Sequence, residues 1–348
     1  MKRGLTLGKF APFHRGHQLL IETALAETDE VVVLIYATDV IEVPLQVRAN
    51  WIRQLYPSVT VIEAWDGPDS YGDTAEIRSE QEAYILKKLN GLAISHFYSS
   101  EFYGEFLAID AAMDKFYGDH VSKALGAVDR RIDEARLQVP ISGTQLRANY
   151  FAGKAYLSEL VYRDLIINVC FLGAPSTGKT TLTRTLAKQH HTEWMPEYGA
   201  EFWLTHQVER RITLEQFETI APEHNRREEK LRAQANTYLF CDTNPITTYM
   251  FARDYHGTPG PILTELAKQA ERNYDLFFLC DTDIPYADTW DRSGNQKRLC
   301  FQQQIIADLA ERKIPYVVLS GDVECRVEQV NSILRRFKKY GNLLDILA

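Results

Sequence analysis

Two stretches of this chain hold residue types suited to handling phosphate. Gly8-Lys9-Phe10-Ala11-Pro12-Phe13-His14-Arg15-Gly16-His17 stands near the start, and Gly173-Ala174-Pro175-Ser176-Thr177-Gly178-Lys179-Thr180 lies in the middle. In the first, Gly8 and Gly16 let main chain approach an anion, while His14 and His17 supply donors for phosphate oxygens. The second is a full match to GxxxxGK[ST], the P-loop pattern. There the backbone N–H groups of Gly173, Ser176, Thr177 and Gly178 would wrap a β-phosphate, Lys179 would bridge the β- and γ-phosphates, and Thr180, followed by Thr181, would help hold Mg²⁺. Two loops that act on different phosphates of a nucleotide suggest two consecutive reactions on one polypeptide.

The flanking sequence predicts elements that could position both loops. Arg3 to Leu7 reads as a strand and Gly16 to Ala26 as a helix, so the first loop joins strand to helix. The alternation continues with a strand over Glu30 to Tyr36, a helix over Val47 to Leu55, a strand over Val59 to Ala64, a helix over Ala75 to Leu89 and a strand over His96 to Ser99. In the second half, the apolar run Asp164 to Leu172 predicts a buried strand feeding the P-loop, and Thr181 to Lys188 the helix after it. Two further apolar strands end in acid, at Asp242 and Asp281, and either carboxylate could serve a metal or act as a base. Only one of them is expected beside the P-loop strand. Ile305 to Leu319 predicts a helix and a strand, and Val327 to Phe337 a closing helix. Such alternation specifies an α/β fold with parallel sheets, whose ligands sit beyond the carboxyl ends of the strands.

The bulk composition excludes several classes. At 348 residues the chain fits two domains. A formal net charge of -8 argues against nucleic acid as the main partner. No apolar run has the length to span a bilayer, and no secretion signal is visible. The five cysteines all fall in the second half with no CxxC spacing; Cys170, Cys241 and Cys280, in apolar runs, read as reduced core thiols of a cytoplasmic protein. Arg226 to Arg232, with glutamates among four basic residues, reads as a solvated helix carrying salt bridges.

A third segment, Ile141-Ser142-Gly143-Thr144-Gln145-Leu146-Arg147, has capping-box spacing at Ser142 and Gln145. Alone it predicts a well-capped helix; beside the first loop it offers a second anion site, with hydroxyls and an Arg suited to forked phosphate binding. The pairing of GxFxPxHxGH with ISxTxxR resembles the nicotinamide-mononucleotide adenylyltransferases of the bacterial NadR and archaeal type, within the wider class of HxGH nucleotidyltransferases. The order P-loop, Glu197-Tyr198-Gly199, Asp242-Thr243-Asn244, Asp283-Ile284-Pro285 and Arg292 resembles the ribosylnicotinamide kinase domain of NadR proteins.

The resemblance implies two parallel-sheet domains: an N-terminal HxGH nucleotidyltransferase of Rossmann-like fold over 1–160, and a C-terminal P-loop kinase over 161–348. It implies that the kinase converts nicotinamide riboside and ATP to nicotinamide mononucleotide (NMN), and that the transferase converts NMN and ATP to NAD and diphosphate, both with Mg²⁺. By the same resemblance His14 and His17 contact ATP phosphates together with Gly8, Lys9, Phe10 and Gly16, while Ser142, Thr144 and Arg147 hold the β/γ side. Lys9 replaces an Arg frequent in relatives, keeping the charge and losing the planar fork. Arg48 matches a basic residue that the family uses near the nucleotide phosphates, with a surface salt bridge as the alternative. Ser99 to Gly104 looks like a segment framing the nucleotide. Trp51 could stack on the nicotinamide ring or belong to the core; Trp65, Asp66 and Tyr71 sit in a loop where an aromatic can meet a ligand.

For the kinase, Glu197 and Tyr198 would line the nucleoside site, and Asp242 would accept the ribose 5′-hydroxyl proton or, with Thr180, organise Mg²⁺. Asp288, Arg292, Lys297 and Arg298 fall where small kinases keep a cationic lid, with a solvated face as the reading for Lys297. Ala200, Asn244 and Trp290 depart from the family pattern. The alternatives are a transferase–kinase fusion serving another cofactor pathway, and a nucleotide-sensing transcriptional regulator. Against the latter, the chain starts at the transferase strand, where some NadR proteins place a helix-turn-helix ahead of it. The resemblance is compatible with a homo-oligomer, with no membrane partner.

Overall fold

Each phosphate loop leaves the middle strand of its own five-stranded parallel sheet. The computed structural model describes residues 1–68, 74–100, 120–286 and 294–341, and the chain divides into two units, Met1–Tyr162 and Arg163–Ala348. Both are α/β with parallel strands.

In the first unit the strands are β1 (Arg3–Gly8), β2 (Glu30–Tyr36), β3 (Thr60–Ala64), β4 (His96–Ser99) and β5 (Val128–Arg131), in the order β3-β2-β1-β4-β5. All pairings are parallel. β2 buries Val31 to Ile35 without a break, as a strand covered on both faces must; each such side chain stabilises by about 1.5–3 kcal/mol. The helix Arg15–Glu27 follows the first loop and turns Leu20, Ile21 and Ala24 inward. Trp51, on the helix Leu45–Leu55, is fully buried and belongs to the core, so it cannot stack on a ligand ring. The chain crosses from the β3 edge to the other side of β1 between β3 and β4, which places the switch-point crevice at the carboxyl ends of β1 and β4.

In the second unit β6 (Ile167–Leu172), β7 (Trp194–Met195), β8 (Tyr238–Asp242), β9 (Leu276–Cys280) and β10 (Val317–Leu319) lie in the order β10-β9-β6-β8-β7. The core stacks Phe171 against Phe278 with ring centroids 5.4 Å apart and against Phe240 at 6.2 Å. Three expectations need correction. Both acid-ended strands flank the P-loop strand, because a central parallel strand has two neighbours: β8 pairs on one side and β9 on the other. The P-loop strand starts only at Ile167, since Asp164 and Leu165 close the helix Glu159–Leu165, which Ser158 caps through the Val161 N–H. An apolar run without period does not mark where a helix hands over to a strand.

The third correction concerns Arg226 to Arg232, the last turns of the helix Leu214–Arg232. Arg226 and Arg227 do pair with Glu223 at the surface. Glu228, however, faces the core, where it accepts the Tyr274 hydroxyl and a bond of 2.9 Å from Arg232, with His224 one turn before it. Cys170, Cys241 and Cys280 are buried free thiols. The other predicted helices are present with shifted ends, Lys179–Gln189, Asn295–Glu311 and Val323–Leu334. Among the described residues no helix is long and apolar enough to cross a membrane.

Candidate active sites

The crevice of the first unit opens into a cavity of about 740 Å³ lined by Gly8, Lys9, Phe10, His14, Gly16, His17, Ser142, Thr144, Arg147 and Trp65. The two histidines form the start of the helix Arg15–Glu27. His14 is its N-cap, with Nδ1 accepting the Gly16 N–H at 3.1 Å, and His17 Nδ1 accepts the His14 N–H at 3.2 Å. The HxGH spacing is therefore a capping box written in histidine. A ring nitrogen that accepts a backbone N–H carries no proton, so in the neutral tautomer the proton of each ring sits on Nε2 and is available to donate.

Both rings are held neutral. Burial, then Arg136 and Arg147, bring His14 down to about 3. His17, packed against Phe10 and Phe13 and stacked on His14 at 3.7 Å, is held well below its ordinary value by burial, then by His14 and Arg136. In the nucleotide-free protein the cavity thus presents two imidazole donors rather than two cations, with the charge supplied by arginines.

Arg147 joins the two motifs. Its guanidinium donates to the Ala11 carbonyl at 2.7 Å and to Thr144 Oγ1 at 3.0 Å. Gly143 permits this approach, since a Cβ there would stand 3.1 Å from both the Ala11 oxygen and the Arg147 guanidinium. Ser142 caps the short helix Gly143–Ala148 in a reciprocal box with Gln145. Arg48 is placed beneath the cavity and not on its wall. It is buried, donating to the carbonyls of Val43 at 3.0 Å, Tyr36 at 3.1 Å and Lys9, and burial lowers its pKa to about 10. Neither a surface salt bridge nor an open phosphate ligand describes it; it fixes the main chain of the loop. Trp65 is largely exposed at the cavity mouth, its indole N–H on Glu63 at 2.9 Å. Asp66 pairs with Lys88 and Tyr84; Tyr71 and 101–104 lie outside the described residues, while Ser99 and Ser100 line the cavity.

Sequence reasoning missed Asp133 and Arg136. Burial would raise Asp133, but the N–H groups of Gln138, Val139 and Leu137 and the charge of Arg136 outweigh it and hold the carboxylate low. The turn so pinned carries Arg136 to the cavity wall, with a bond to the Ile141 carbonyl. Tyr36, Gln81 and Tyr84 complete the far side. Asp133-x-x-Arg136 just ahead of ISGTQLR is a local signal for the first pair; no local pattern marks the others.

In the second unit the P-loop spans β6 and the helix Lys179–Gln189. Ser176 and Gly178 adopt left-handed backbone, and Gly173 has φ 142°. A Cβ on Gly173 would stand 2.8 Å from both the Cys280 carbonyl and Thr177 Oγ1, so only glycine fits. Thr177 Oγ1 donates to the Ala174 carbonyl, and Lys179 Nζ lies across the loop on the Gly173 and Ala174 carbonyls at 2.9 and 3.1 Å. Thr181 follows on the exposed side of the first turn.

Asp242 comes from the end of β8. Its Oδ2 accepts the Thr180 hydroxyl at 2.5 Å, while its buried Oδ1 has no protein donor among the described residues. A hydroxyl and a carboxylate with an uncommitted oxygen at a P-loop are the donor set that Mg²⁺ takes alongside nucleotide phosphates. Burial raises Asp242, with Lys179 and Thr180 opposing. Glu197, at the start of the helix Tyr198–His206, is pushed up to about 7 by burial, with Lys179 opposing and Asp242 adding. Tyr198 lies under the Arg227 guanidinium at 4.0 Å, itself paired with Glu201. Asn244 is committed to capping the helix Pro245–His256.

Arg298 departs from the expectation of a lid cation. It is buried, and its guanidinium reaches the carbonyls of Ser176 and Ile284 at 3.3 and 3.2 Å. Lys297 is exposed, whereas Asp288, Trp290 and Arg292 lie outside the described residues. Gln302 and Arg326 were missed altogether. Gln302 takes the Ala174 N–H and donates to the Cys280 carbonyl.

Comparison with known proteins agrees with both halves. Residues 168–326 match the AAA domain family and residues 8–71 the citrate lyase ligase C-terminal domain family. The trifunctional NAD biosynthesis/regulator proteins NadR of Salmonella typhimurium and Escherichia coli strain K12 are each 28% identical over 335 aligned residues, covering 90% of this chain and 78% of theirs. A crystal structure of NadR in complex with NR superposes with TM-score 0.52 at 22% identity, covering 92% of this chain and 91% of that one. A NadR complex with NAD and AMP-PNP superposes with TM-score 0.52 at 20% identity, covering 99% and 95%. With alignments that cover 90% of its length, the chain is a homologue of the NadR proteins.

Proposed function

We propose that this chain carries two consecutive steps of NAD salvage. Residues 161–348 phosphorylate nicotinamide riboside with ATP, giving NMN and ADP, and residues 1–160 adenylylate NMN with a second ATP, giving NAD and diphosphate. The observation that carries the reading is the coexistence, in a NadR homologue, of a neutral His14–His17 pair facing a cavity with Arg136 and Arg147 and a P-loop whose Thr180 is bonded to a buried Asp242.

In the transferase an NMN phosphate oxygen attacks the α-phosphorus of ATP as the bond to the bridging oxygen breaks and diphosphate leaves. The Nε2–H groups of His14 and His17 donate to the oxygens on which charge grows, and Arg147, anchored on the Ala11 carbonyl, supplies fixed positive charge. In the kinase Lys179 leaves the Gly173 and Ala174 carbonyls for the β- and γ-phosphates. Thr180 and Asp242 would hold Mg²⁺, which would neutralise phosphate charge when bound. Glu197 is the carboxylate that accepts the riboside 5′-hydroxyl proton, held above the ordinary carboxylate range in the nucleotide-free protein chiefly by burial. Tyr198 lines the nucleoside side, with Arg292 its cationic complement.

The test supplies nicotinamide riboside, ATP and Mg²⁺ and follows NMN and NAD by chromatography. Lys179→Ala stops NMN formation and leaves NMN conversion to NAD intact; His17→Ala does the reverse, accumulating NMN. Riboside phosphorylation by Lys179→Ala at the wild-type rate would sink the kinase assignment.

A further inference from the structure

We infer that Arg326, seconded by Arg298, is a positioning residue for nucleotide binding in the second unit: it sets the orientation of the P-loop peptides without touching the nucleotide. The inference rests on reading that loop as a nucleotide site and goes beyond the residues of the P-loop pattern.

Arg326 lies on the helix Val323–Leu334 and is almost wholly buried. Its guanidinium gathers three separate stretches of chain. Nη1 donates to the Thr177 carbonyl at 2.7 Å, Nε to the Gly321 carbonyl at 2.9 Å, and Nη2 to the Asp281 carbonyl at 3.2 Å and to the Asp283 carboxylate. Gly321, in the left-handed region, precedes this helix, and Asp281 and Asp283 follow β9. Asp283 also accepts the Gly321 N–H, so the acid and the arginine brace the same turn. Arg298, from the helix Asn295–Glu311, holds the neighbouring Ser176 carbonyl and reaches Ile284.

The consequence follows from peptide geometry. In a planar trans peptide the carbonyl of one residue and the N–H of the next point in opposite directions. Fixing the Thr177 carbonyl on Arg326 therefore fixes the Gly178 N–H the other way, and fixing the Ser176 carbonyl on Arg298 does the same for the Thr177 N–H. Those N–H groups belong to the loop that wraps phosphate in a P-loop nest. Were either peptide to flip, a carbonyl oxygen would face the anion in place of a donor. The left-handed backbone of Ser176, a non-glycine residue, costs energy to hold, and the external clamp helps to over-determine it. Lysine cannot replace the clamp, since one ammonium lacks the fork that reaches all four acceptors.

The experiment uses the full chain and fluorescently labelled ADP with Mg²⁺, titrated at equilibrium. Lys179→Ala identifies the part of the binding that belongs to the P-loop. Arg326→Lys is expected to weaken that part about tenfold or more, with Arg298→Lys weakening it less, with a lowered melting temperature because buried carbonyls lose their donor, and with NMN conversion to NAD by the folded protein at the wild-type level. In riboside phosphorylation the KM for ATP rises while the KM for riboside and kcat stay within about threefold, the split expected when ground and transition states lose binding alike. An Arg326→Lys protein that binds ADP within about twofold of wild type overturns the inference, as does an equal rise in both KM values. If the variant fails to fold, Arg298→Lys decides alone by the same criterion. Should wild type show Lys179-dependent ADP binding but no riboside phosphorylation, the substrate reading falls while the clamp is still judged by binding; no Lys179-dependent binding at all removes both.

Discussion

The double duty of His14 predicts that its structural and chemical roles can be separated by two substitutions. As N-cap it satisfies a backbone N–H through Nδ1, a role worth about 1 kcal/mol that Asn fills as well as any residue and Ala does not. As a donor to phosphate it acts through Nε2–H, and loss of one such donor costs about 10²- to 10³-fold in rate. His14→Asn should therefore lose NAD formation as fully as His14→Ala while keeping the stability that Ala loses, read by hydrogen exchange in the peptide covering Arg15–Glu27. The pH dependence supplies a second number. His14 is held at about 3 against an ordinary 6.5, so in nucleotide-free protein the unfolded chain takes up a proton below 6.5 that the folded domain refuses. Stability is complete above 6.5 and is lost progressively as pH falls toward 3; at pH 5 the deficit from this one group is about 2 kcal/mol. His14→Asn removes that term, so relative to wild type it should gain about 2 kcal/mol of protection between pH 7 and pH 5. A variant that keeps more than about a tenth of wild-type NAD formation, or whose relative protection is the same at both pH values, would refute the reasoning.

Arg48→Met should destabilise the first unit by about 3 kcal/mol, since three carbonyls lose their donor in a buried place. Thermal unfolding measures this, and riboside phosphorylation by the same protein should be unchanged; an unaltered melting profile would mean that the carbonyl clamp is dispensable. Glu197→Gln keeps the shape and removes the proton acceptor, so riboside phosphorylation should fall about 10²- to 10⁴-fold with the KM for ATP unchanged. Near-normal turnover in that variant would return the role to Asp242.

Much of the fold was legible because parallel strands covered on both faces are continuous apolar runs. The strands Glu30–Tyr36, His96–Ser99 and Tyr238–Asp242 and the helix Ala75–Leu89 lie where hydropathy and period set them. The start of β6 was not, for Leu165 and Ile167 are equally apolar while one ends a helix and the other opens a strand. The phosphate loops were legible because glycine, histidine and lysine in fixed spacing have few other uses. The inward Glu228, the buried Arg48 and the clamps Arg298 and Arg326 were not. A polar side chain whose partner is a backbone carbonyl leaves no pattern, because every residue has a carbonyl: Arg326 meets one 149 residues away and Arg147 one 136 residues away.

These hidden contacts answer a problem that both loops share. An anion site built from main chain presents carbonyl oxygens as well as N–H groups, and an oxygen turned toward phosphate repels it. In the first loop the Lys9 carbonyl is taken by Arg48 and the Ala11 carbonyl by Arg147; in the second, Ser176 is taken by Arg298 and Thr177 by Arg326. The motif residues supply the donors, and guanidinium groups from distant helices dispose of the acceptors. A planar fork suits this better than an ammonium, because it spans carbonyls from two or three segments without changing its own shape. Retaining HxGH or GxxxxGK[ST] while losing these arginines would leave each loop with its donors present and its peptides free to turn, a defect that motif matching would not register and nucleotide affinity would.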